Sequence, residues 1–365
     1  MSVLNVNRVV DASGGVLAPI SSVMRNRIIN GAMVIDQRNA GASVTPTDAQ
    51  FITDRWMARL SQASKFSAQR NAGAVTPPVG FTNYLGATSL SSYALSAGDY
   101  FAFQHRIEGF NVSDLSWGTA NAQPITFSFW VRSSLTGTFG GSILNNAANR
   151  SYPFTYAISA ANTWEQKSVT IAGDTTGTWL TNNNIGLDIW LGLGVGSTFS
   201  GTAGSWSGSS FFSAIGATSV VGTNGATFYV TGVQLERGTQ TTSFEHRQYQ
   251  QELALCQRYA IVYGGDSIYE RFAIGEAVTT TEVSATLFTP VQMRITPALS
   301  TNTASNFAIY SRGAITTCSS ILINFSSPLI VTINGNVASG LTAGSGAAII
   351  ANNNTNARLT LNSEI

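Results

Sequence analysis

The chain has 365 residues, which is long enough for two domains that each bury a hydrophobic core. Only 10% of the residues are charged, well under the roughly 25% of typical soluble domains, and the formal net charge is +1. Because the Lys and Arg residues form no basic stripe and no apolar run approaches the ~20 residues of a membrane helix, we expect neither nucleic-acid binding nor membrane insertion.

Residues 1–26 are predicted to form an irregular N-terminal arm, which is a candidate attachment segment. The run from Val9 to Leu17 is interrupted by Asp11 and by the pair Gly14-Gly15. The same residues lack the basic, apolar and small-residue order of a signal peptide. We therefore expect an arm without regular structure and without a recognisable export signal.

Residues 27–243 form a series of short alternating segments that are typical of β-strands. The series opens with Ile28-Ile29, a turn at Asn30-Gly31 and a second apolar run at Met33-Val34-Ile35. Apolar and polar residues then alternate with period 2 in the segments Phe127 to Arg132, Leu187 to Leu193 and Thr227 to Val233. Many half-buried strands with glycine-rich turns and no helical pattern predict an all-β sandwich or barrel.

Residues 244–263 are predicted to link two domains, with one short α-helix from Phe244 to Ala260. The residues that share one face of this helix are Tyr249, Leu253, Cys256 and Ala260. A helix of this length is not stable alone, so its apolar face must pack on other elements. We expect Tyr249, Leu253 and Cys256 to be buried.

Residues 264–365 are predicted to form a smaller C-terminal β domain. The predicted strands are Ile268 to Ala277, Val283 to Met293, Phe307 to Ser311, Ile315 to Phe325, Leu329 to Asn334 and Ala357 to Leu361. Cys256 and Cys318 have no CxxC spacing and no nearby histidine cluster, so zinc is not expected. Each is predicted to be a small buried hydrophobic residue, although a bridge between them remains open.

Several stretches resemble modules of bacteriophage tail-fibre and tail-associated proteins. They are Arg27 to Met33 with Asp36-Gln37-Arg38 and Asp54-Arg55-Trp56, then Thr126 to Arg132, Phe228 to Glu236, Phe244 to Arg247 and Glu252 to Tyr259. The resemblance implies a carbohydrate-binding jelly-roll β-sandwich over residues 27–243. It also implies a virion protein, assembled in the bacterial cytoplasm, that attaches to host-surface glycan without catalysis.

The same resemblance implies partners. Fibre-like proteins resemble threefold assemblies, so we expect a homo-oligomer, most simply a trimer. The arm of residues 1–26 is then expected to contact other tail or capsid proteins of the virion. The alternatives are a purely structural connector or decoration protein of the virion, and a polysaccharide depolymerase.

Many modules of this kind hold a structural calcium ion through acidic residues near the first and last strands. Here Val34 follows the Asn30-Gly31 turn, and Thr231-Gly232 stands in the last strand where paired aspartates are common. A calcium ion needs several oxygen ligands, and the expected carboxylates are missing. We therefore predict no metal site and no cofactor.

No catalytic residue is predicted. His105 and His246 lie far apart in the sequence, without a serine elbow or a cysteine partner. A glycoside hydrolase needs two facing carboxylates, but the acidic residues are spread over separate elements: Asp99, Glu108, Asp114, Glu165, Asp174 and Asp188. We therefore expect a protein that is not an enzyme.

A glycan site needs exposed aromatic rings surrounded by amide and hydroxyl groups, because sugar rings present apolar C–H faces and polar rims. Trp206, within Gly204-Ser205-Trp206-Ser207-Gly208, is the first candidate, and Trp179 is the second. The alternative for both is a loop tryptophan that folds back and covers the sandwich. The tryptophans in strand patterns, Trp56, Trp130, Trp164 and Trp190, are assigned to the sheets.

Overall fold

A computed structural model describes residues 24–301 and 303–365, together with the backbone of Val9–Val10 and Val16–Leu17. Most of the predicted N-terminal arm therefore lies outside the described residues. The chain divides into two compact units after Gln248, and the second unit is Tyr249–Ile365. No helix within the described residues has the length and apolar character needed to cross a membrane.

The first unit is built from β-strands. In chain order they are β1 (Val9–Val10), β2 (Val16–Leu17), β3 (Phe51–Thr53), β4 (Trp56–Leu60), β5 (Phe66–Arg70), β6 (Leu85–Ser89), β7 (Tyr100–Glu108), β8 (Ile125–Ser133), β9 (Gly137–Leu144), β10 (Ser151–Ile158), β11 (Glu165–Ile171), β12 (Ile185–Val195), β13 (Ser200–Gly201), β14 (Ser213–Ala214) and β15 (Thr227–Arg237). Short 3₁₀ turns lie at Ala72–Ala74, Gly109–Asn111, Ser113–Leu115 and Ser197–Phe199.

Two antiparallel sheets form a sandwich in this unit. One has six strands in the order β10-β9-β12-β7-β4-β3, and the other has five in the order β11-β8-β15-β6-β5. The last long strand, β15, inserts between β8 and β6, so neighbours in the sheet are distant in the sequence. Such crossing connections are typical of Greek-key and jelly-roll sandwiches. The predicted all-β jelly-roll sandwich is confirmed.

The core lies between the two sheets and follows the predicted alternation. On β8, Phe127, Phe129 and Val131 are completely buried, whereas Trp130 on the opposite face is half-buried. On β12, the residues that point into the core are Leu187, Ile189, Leu191 and Leu193. Each large apolar side chain removed from water contributes about 1.5–3 kcal/mol, so these rows help to drive the folding of the first unit.

The start of the first unit differs from the sequence prediction. Ile28, Ile29, Met33 and Ile35 are buried and Val34 is half-buried, but none of them belongs to a strand. The Asn30 amide donates to the backbone oxygens of Ile35 and Asp54, and its oxygen accepts the Ile35 N–H. Asn30 and Met33 also have positive φ values of 58° and 57°, which strand geometry does not allow. Side-chain hydrogen bonds therefore replace the predicted strand pairing.

The second unit contains one α-helix and ten strands among its described residues. The helix is α1 (Tyr249–Gln257), a 3₁₀ turn lies at Ala304–Asn306, and the strands are β16 (Ala260–Tyr263), β17 (Arg271–Ala277), β18 (Glu282–Phe288), β19 (Ala298–Thr301), β20 (Phe307–Ser311), β21 (Ala314–Thr317), β22 (Ser320–Ser326), β23 (Ile330–Asn336), β24 (Gly346–Ala351) and β25 (Leu359–Asn362). They form a three-stranded sheet, β16-β25-β19, and a seven-stranded sheet, β21-β20-β24-β17-β18-β23-β22. The predicted C-terminal β domain is present, and α1 and β16 belong to it.

The α-helix is shorter than predicted and buries a different face. It begins at Tyr249, whose side chain is 58% exposed, whereas Cys256 and Glu252 are buried and Leu253 is half-buried. The prediction that Tyr249 is buried is therefore wrong. Residues 244–248 are not helical, because Glu245 and Arg247 use their side chains to hold the backbone of residues 24–28.

Candidate functional site

The two predicted glycan-binding tryptophans lie side by side. The indole rings of Trp206 and Trp179 pack edge to face, with centroids 5.4 Å apart and planes inclined by 76°. The Trp206 Nε1–H donates to the Ala172 oxygen at 2.9 Å, and the Trp179 Nε1–H donates to the Asp174 carboxylate at 3.2 Å. Two residues from separate loops therefore share one end of the sandwich.

This tryptophan cluster continues into the core. The buried Trp117 packs edge to face against Trp179 at 4.7 Å and against Trp206 at 5.2 Å, and Tyr152 lies 5.1 Å from Trp206. The Arg150 guanidinium is 5.9 Å from the Trp206 ring centre. Both candidate tryptophans are half-buried, so distant parts of the chain cover rings that their sequence neighbours leave open.

A carboxylate supports this cluster. Burial alone would raise the pKa of Asp174, but its hydrogen bonds hold that pKa below its ordinary value. They come from the Arg150 guanidinium at 2.7 Å and from the backbone N–H and hydroxyl of Thr176 at 3.1 and 3.0 Å. The charged Asp174 thus fixes Arg150 and the loop that carries Trp179.

A second aromatic group lines a cleft on the five-stranded sheet, on the face turned away from the core. We call it the aromatic cleft, and its volume is about 440 Å³. Its lining residues are Val79, Phe81, Ser128, Trp130, Gln166, Gly232, Thr242, Ser243, Phe244 and His246. Trp130 is half-buried and His246 is exposed, so ring surface remains open to a ligand.

The strand register places Trp130 in the floor of the aromatic cleft. Trp130 on β8 lies opposite Gln166 on β11 and opposite Thr231 on β15. Between Thr231 and Gln234 the register of β15 shifts, and Gly232 takes a φ of +58° at this bulge. A glycine is needed there because an added β-carbon would lie 2.5 Å from the Phe81 ring and 3.1 Å from Trp130.

Three further rings form the wall of the cleft. Phe81 and Phe244 have centroids 5.1 Å apart, and His246 lies 5.4 Å from Phe81 and 4.9 Å from Phe244. Glu245 lies between Phe244 and His246 in the sequence. Its carboxylate accepts hydrogen bonds from the backbone N–H groups of Met24 and Asn26 at 2.7 and 2.8 Å. These bonds fix the segment that carries two of the four rings.

Sequence reasoning missed the aromatic cleft, although a signal for it was available. Trp130 alternates with the core residues Phe127, Phe129 and Val131, which puts it on the same face as Ser128 and Arg132. A tryptophan on the polar face of a strand is a candidate ligand contact. The contribution of Phe81 and Phe244 depends on contacts between distant segments, which no local pattern indicates.

The two histidines have different surroundings in the fold. His105 is completely buried against Trp56, with ring centroids 4.8 Å apart, and burial together with the nearby Arg55 charge lowers its pKa well below the ordinary value. His246 was expected in the first helical turn, but it precedes α1 and lines the aromatic cleft.

The acidic residues that were weighed for catalysis have separate structural partners. The Asp99 carboxylate accepts hydrogen bonds from the hydroxyls of Ser61 and Tyr93 and from the Ser96 N–H. Burial alone would raise the pKa of Asp99, but these bonds lower it. Glu165 pairs with Lys167 at 2.5 Å, which lowers the Glu165 pKa. Burial raises the pKa of Asp188, which accepts the Gln104 amide.

The remaining candidates for chemistry are metal-binding side chains and the two cysteines. Within the described part of the chain, no group of three or more His, Cys, Asp or Glu side chains could hold a metal ion. Cys256 and Cys318 are both buried, as predicted for small hydrophobic residues, and no disulfide bond joins them. Burial raises the pKa of Cys318 to about 12.

Comparisons with known proteins give only distant likenesses. No family model matches the chain, and no curated protein matches it. Among solved structures, the enzymatically active domain of tailspike protein 4 from bacteriophage CBA120 is 12% identical with a TM-score of 0.31. That comparison covers 59% of this chain but 22% of the tailspike chain.

Two further solved structures are described as sugar-binding. A sugar-binding protein from Bacteroides thetaiotaomicron is 10% identical with a TM-score of 0.33, and the comparison covers 58% of this chain and 100% of that chain. A family 11 carbohydrate-binding module from Clostridium thermocellum is 11% identical with a TM-score of 0.26, over 55% of this chain and 98% of that chain. None of these likenesses assigns a function to this chain.

Proposed function

We propose that the first unit is a non-catalytic glycan-binding module and that the aromatic cleft is its binding site. The observation that carries the proposal is the convergence of four rings, from Phe81, Trp130, Phe244 and His246, in one cleft. Aromatic faces pack against the C–H faces of sugar rings, and this packing is favourable without any charge on the sugar.

The polar lining of the cleft completes a sugar site. Ser128, Gln166, Thr242 and Ser243 bring hydroxyl and amide groups to the same cleft as the rings. These groups can donate to and accept from sugar hydroxyls. A volume of about 440 Å³ lies within the 300–1,000 Å³ range of small-molecule sites, which suits a short stretch of an oligosaccharide.

The proposal extends to attachment of a bacteriophage to its host. The stretches that resemble tail-fibre modules support a fibre or tail protein of the virion, with residues 1–26 contacting other tail or capsid proteins. A single shallow site should bind in the millimolar to micromolar range, because it buries little area. Several copies on one virion convert later contacts into intramolecular ones, so weak sites suffice for attachment.

We also propose that the protein assembles as a homo-oligomer, most simply a trimer. The support is the same resemblance, together with a charged fraction of only 10%, which leaves weakly polar surfaces suited to contact between identical chains. Native mass measurement at micromolar concentration should give three times the 38.5 kDa mass of the chain. A stable monomer at that concentration contradicts the trimer without affecting the glycan site.

The Trp206–Trp179 end of the sandwich is the second position proposed for a glycan. Its two rings are half-buried and still carry exposed edges. The partners of both Nε1 groups lie within the chain, so these indoles offer a ligand ring surface but no free donor. We therefore rank this position below the aromatic cleft.

A glycan-array screen with the purified full chain tests the proposed function. Binding to a defined set of surface polysaccharide fragments is the expected result. Release of reducing ends from the bound polysaccharide, measured in parallel, should stay at background. An array without any binding contradicts glycan recognition and leaves the architectural alternative, whereas reducing-end release indicates a depolymerase.

A further inference from the structure

A second cleft lies near the end of β15, and we call it the arginine cleft. Its volume is about 560 Å³, larger than that of the aromatic cleft. The charged side chains that line it are Arg25, Arg27, Arg237, Asp114 and Glu236. In a chain with 19 basic residues out of 365, three guanidinium groups at one cleft are a local concentration of positive charge.

The carboxylates of the arginine cleft do not balance its guanidinium groups. The Asp114 carboxylate accepts a hydrogen bond from the Arg27 guanidinium at 2.8 Å and lies 3.9 Å from the Arg237 guanidinium. The Glu236 carboxylate lies 3.9 Å from the Arg25 Nε. Three positive and two negative groups leave a formal charge of +1 in the cleft. Arg237 has the fewest constraints, because its side chain is 50% exposed and donates to the Gln123 amide oxygen at 3.1 Å.

Two guanidinium groups of the arginine cleft each keep one nitrogen without an acceptor, although their other nitrogens donate to Ser243, Asn111 and Asp114. The Nε atoms of Arg25 and Arg27 are buried without a hydrogen-bond partner. A buried donor without an acceptor is destabilising, more so when the group is charged. The Nε atoms themselves are covered, but the side chains of Arg25 and Arg27 are 18% and 23% exposed, so negatively charged oxygens of a ligand can still meet their positive charge.

Thr242 connects the two clefts, because it lines both. Its hydroxyl donates to Glu236 at 2.7 Å, and its backbone N–H donates to the same carboxylate at 2.9 Å. An extended ligand in the aromatic cleft can therefore continue past Thr242 to the arginines. The uncharged rings then contact one sugar, and the guanidinium groups contact another.

We infer that the arginine cleft binds the carboxylate of an acidic sugar in the same glycan that occupies the aromatic cleft. This inference rests on the proposed function and names its ligand class. A carboxylate matches the planar guanidinium fork with two parallel hydrogen bonds, which a neutral hydroxyl cannot form. Host-surface polysaccharides that carry uronic or nonulosonic acids are the class of ligand that fits both clefts.

Matched acidic and neutral probes test the inference. The full chain is titrated with an oligogalacturonate and its methyl ester, and with sialyllactose and lactose, alongside acidic and neutral polysaccharides on the array. The expected result is that binding is confined to carboxylated glycans and weakens as salt is added. Equal binding of acidic and neutral glycans overturns the inference but leaves glycan recognition standing, whereas binding of none contradicts both.

Variants of Arg237 test whether this side chain binds the carboxylate of the glycan. Arg237→Gln should weaken binding of the carboxylated glycan about tenfold to a hundredfold, as expected for loss of a charge-assisted bond. Arg237→Lys should retain part of the affinity, because it keeps the charge but loses the fork. The control Arg312→Gln changes an exposed arginine in the second unit and should leave binding unchanged. Unaltered affinity in Arg237→Gln overturns the assignment.

Discussion

The rings of Phe81 and Trp130 both close over Gly232, within 2.5 and 3.1 Å of the position that a β-carbon would occupy. The bulge in β15 thus brings a loop residue and a strand residue together at one point of the aromatic cleft. Because Gly232 has a φ of +58°, its backbone conformation and its lack of a side chain are both needed for this contact.

Gly232→Ala should therefore damage both stability and binding. We expect the free energy of unfolding to fall by about 2–5 kcal/mol, from left-handed backbone strain and overpacking against Phe81. Urea denaturation measures the loss. Gly98→Ala is the matched control, since a β-carbon there meets nothing within 4 Å, and it should change stability by no more than about 0.5 kcal/mol. Similar losses in both variants contradict the role given to Gly232.

Trp206→Ala distinguishes packing from ligand binding at the end of the sandwich. We expect the free energy of unfolding to fall by about 2–3 kcal/mol, because the indole packs on Trp117 and Tyr152 and donates to Ala172. Chemical denaturation and glycan titration are measured on the same variant. Phe110→Ala, at a 58% exposed ring, is the control and should be close to neutral. Lost attachment with unchanged stability would instead locate the glycan at Trp206 and Trp179.

Burial of His105 predicts a pH-dependent stability. Its folded-state pKa lies well below the ordinary value of 6.5, so the unfolded chain takes up a proton first as the pH falls. The stabilising effect is complete above pH 6.5 and is lost below it, by up to about 1.4 kcal/mol per pH unit. The pKa values of three carboxylates are also lowered, so their contributions to stability are lost at more acidic pH than that of His105. They are Asp99, Glu165 and Asp174.

Unfolding measured between pH 7 and pH 5 checks this prediction. His105→Gln should remove most of the slope in that range, whereas Phe110→Ala, at an exposed ring that does not titrate, should retain it. A slope that persists in His105→Gln shows that another group is responsible.

The sandwich could be predicted because its signal is local. A half-buried strand alternates apolar and polar residues with period 2, and β8, β12 and β15 each show this alternation in a few consecutive residues. The sequence around Ile28 and Met33 carries the same apolar signal. There the side chain of Asn30 satisfies the backbone, so burial occurs without a strand.

The second unit contains elements that hydrophobic periodicity alone does not predict. The run Gly346–Ala351 forms β24, an interior strand of the seven-stranded sheet, but its unbroken small and apolar residues give no alternation to detect. Tyr249 fits the apolar stripe of the helix, yet the helix begins at that residue and exposes it. The position at which the helix starts depends on the tertiary bonds of Glu245 and Arg247, which the sequence does not reveal.

The candidate site was only partly predictable for the same reason. Trp206 is surrounded in the sequence by small and polar residues, but Trp117, Trp179 and Tyr152 cover it in the fold. Trp130 shows the reverse, because its strand neighbours suggest a sheet residue while its face of the sheet opens into a cleft. Contacts between segments far apart in the sequence decide both outcomes.

Isothermal titration of Trp130→Ala with the strongest ligand from the glycan array tests the central claim most directly. Phe325→Ala, at a 73% exposed ring in the second unit, serves as the matched control, and thermal unfolding verifies that both variants are folded. If the aromatic cleft is the glycan site, Trp130→Ala raises Kd at least tenfold, or about 1.4 kcal/mol, while Phe325→Ala leaves Kd unchanged. A folded Trp130→Ala variant with the Kd of the unmodified chain would contradict the assignment of the glycan site to the aromatic cleft.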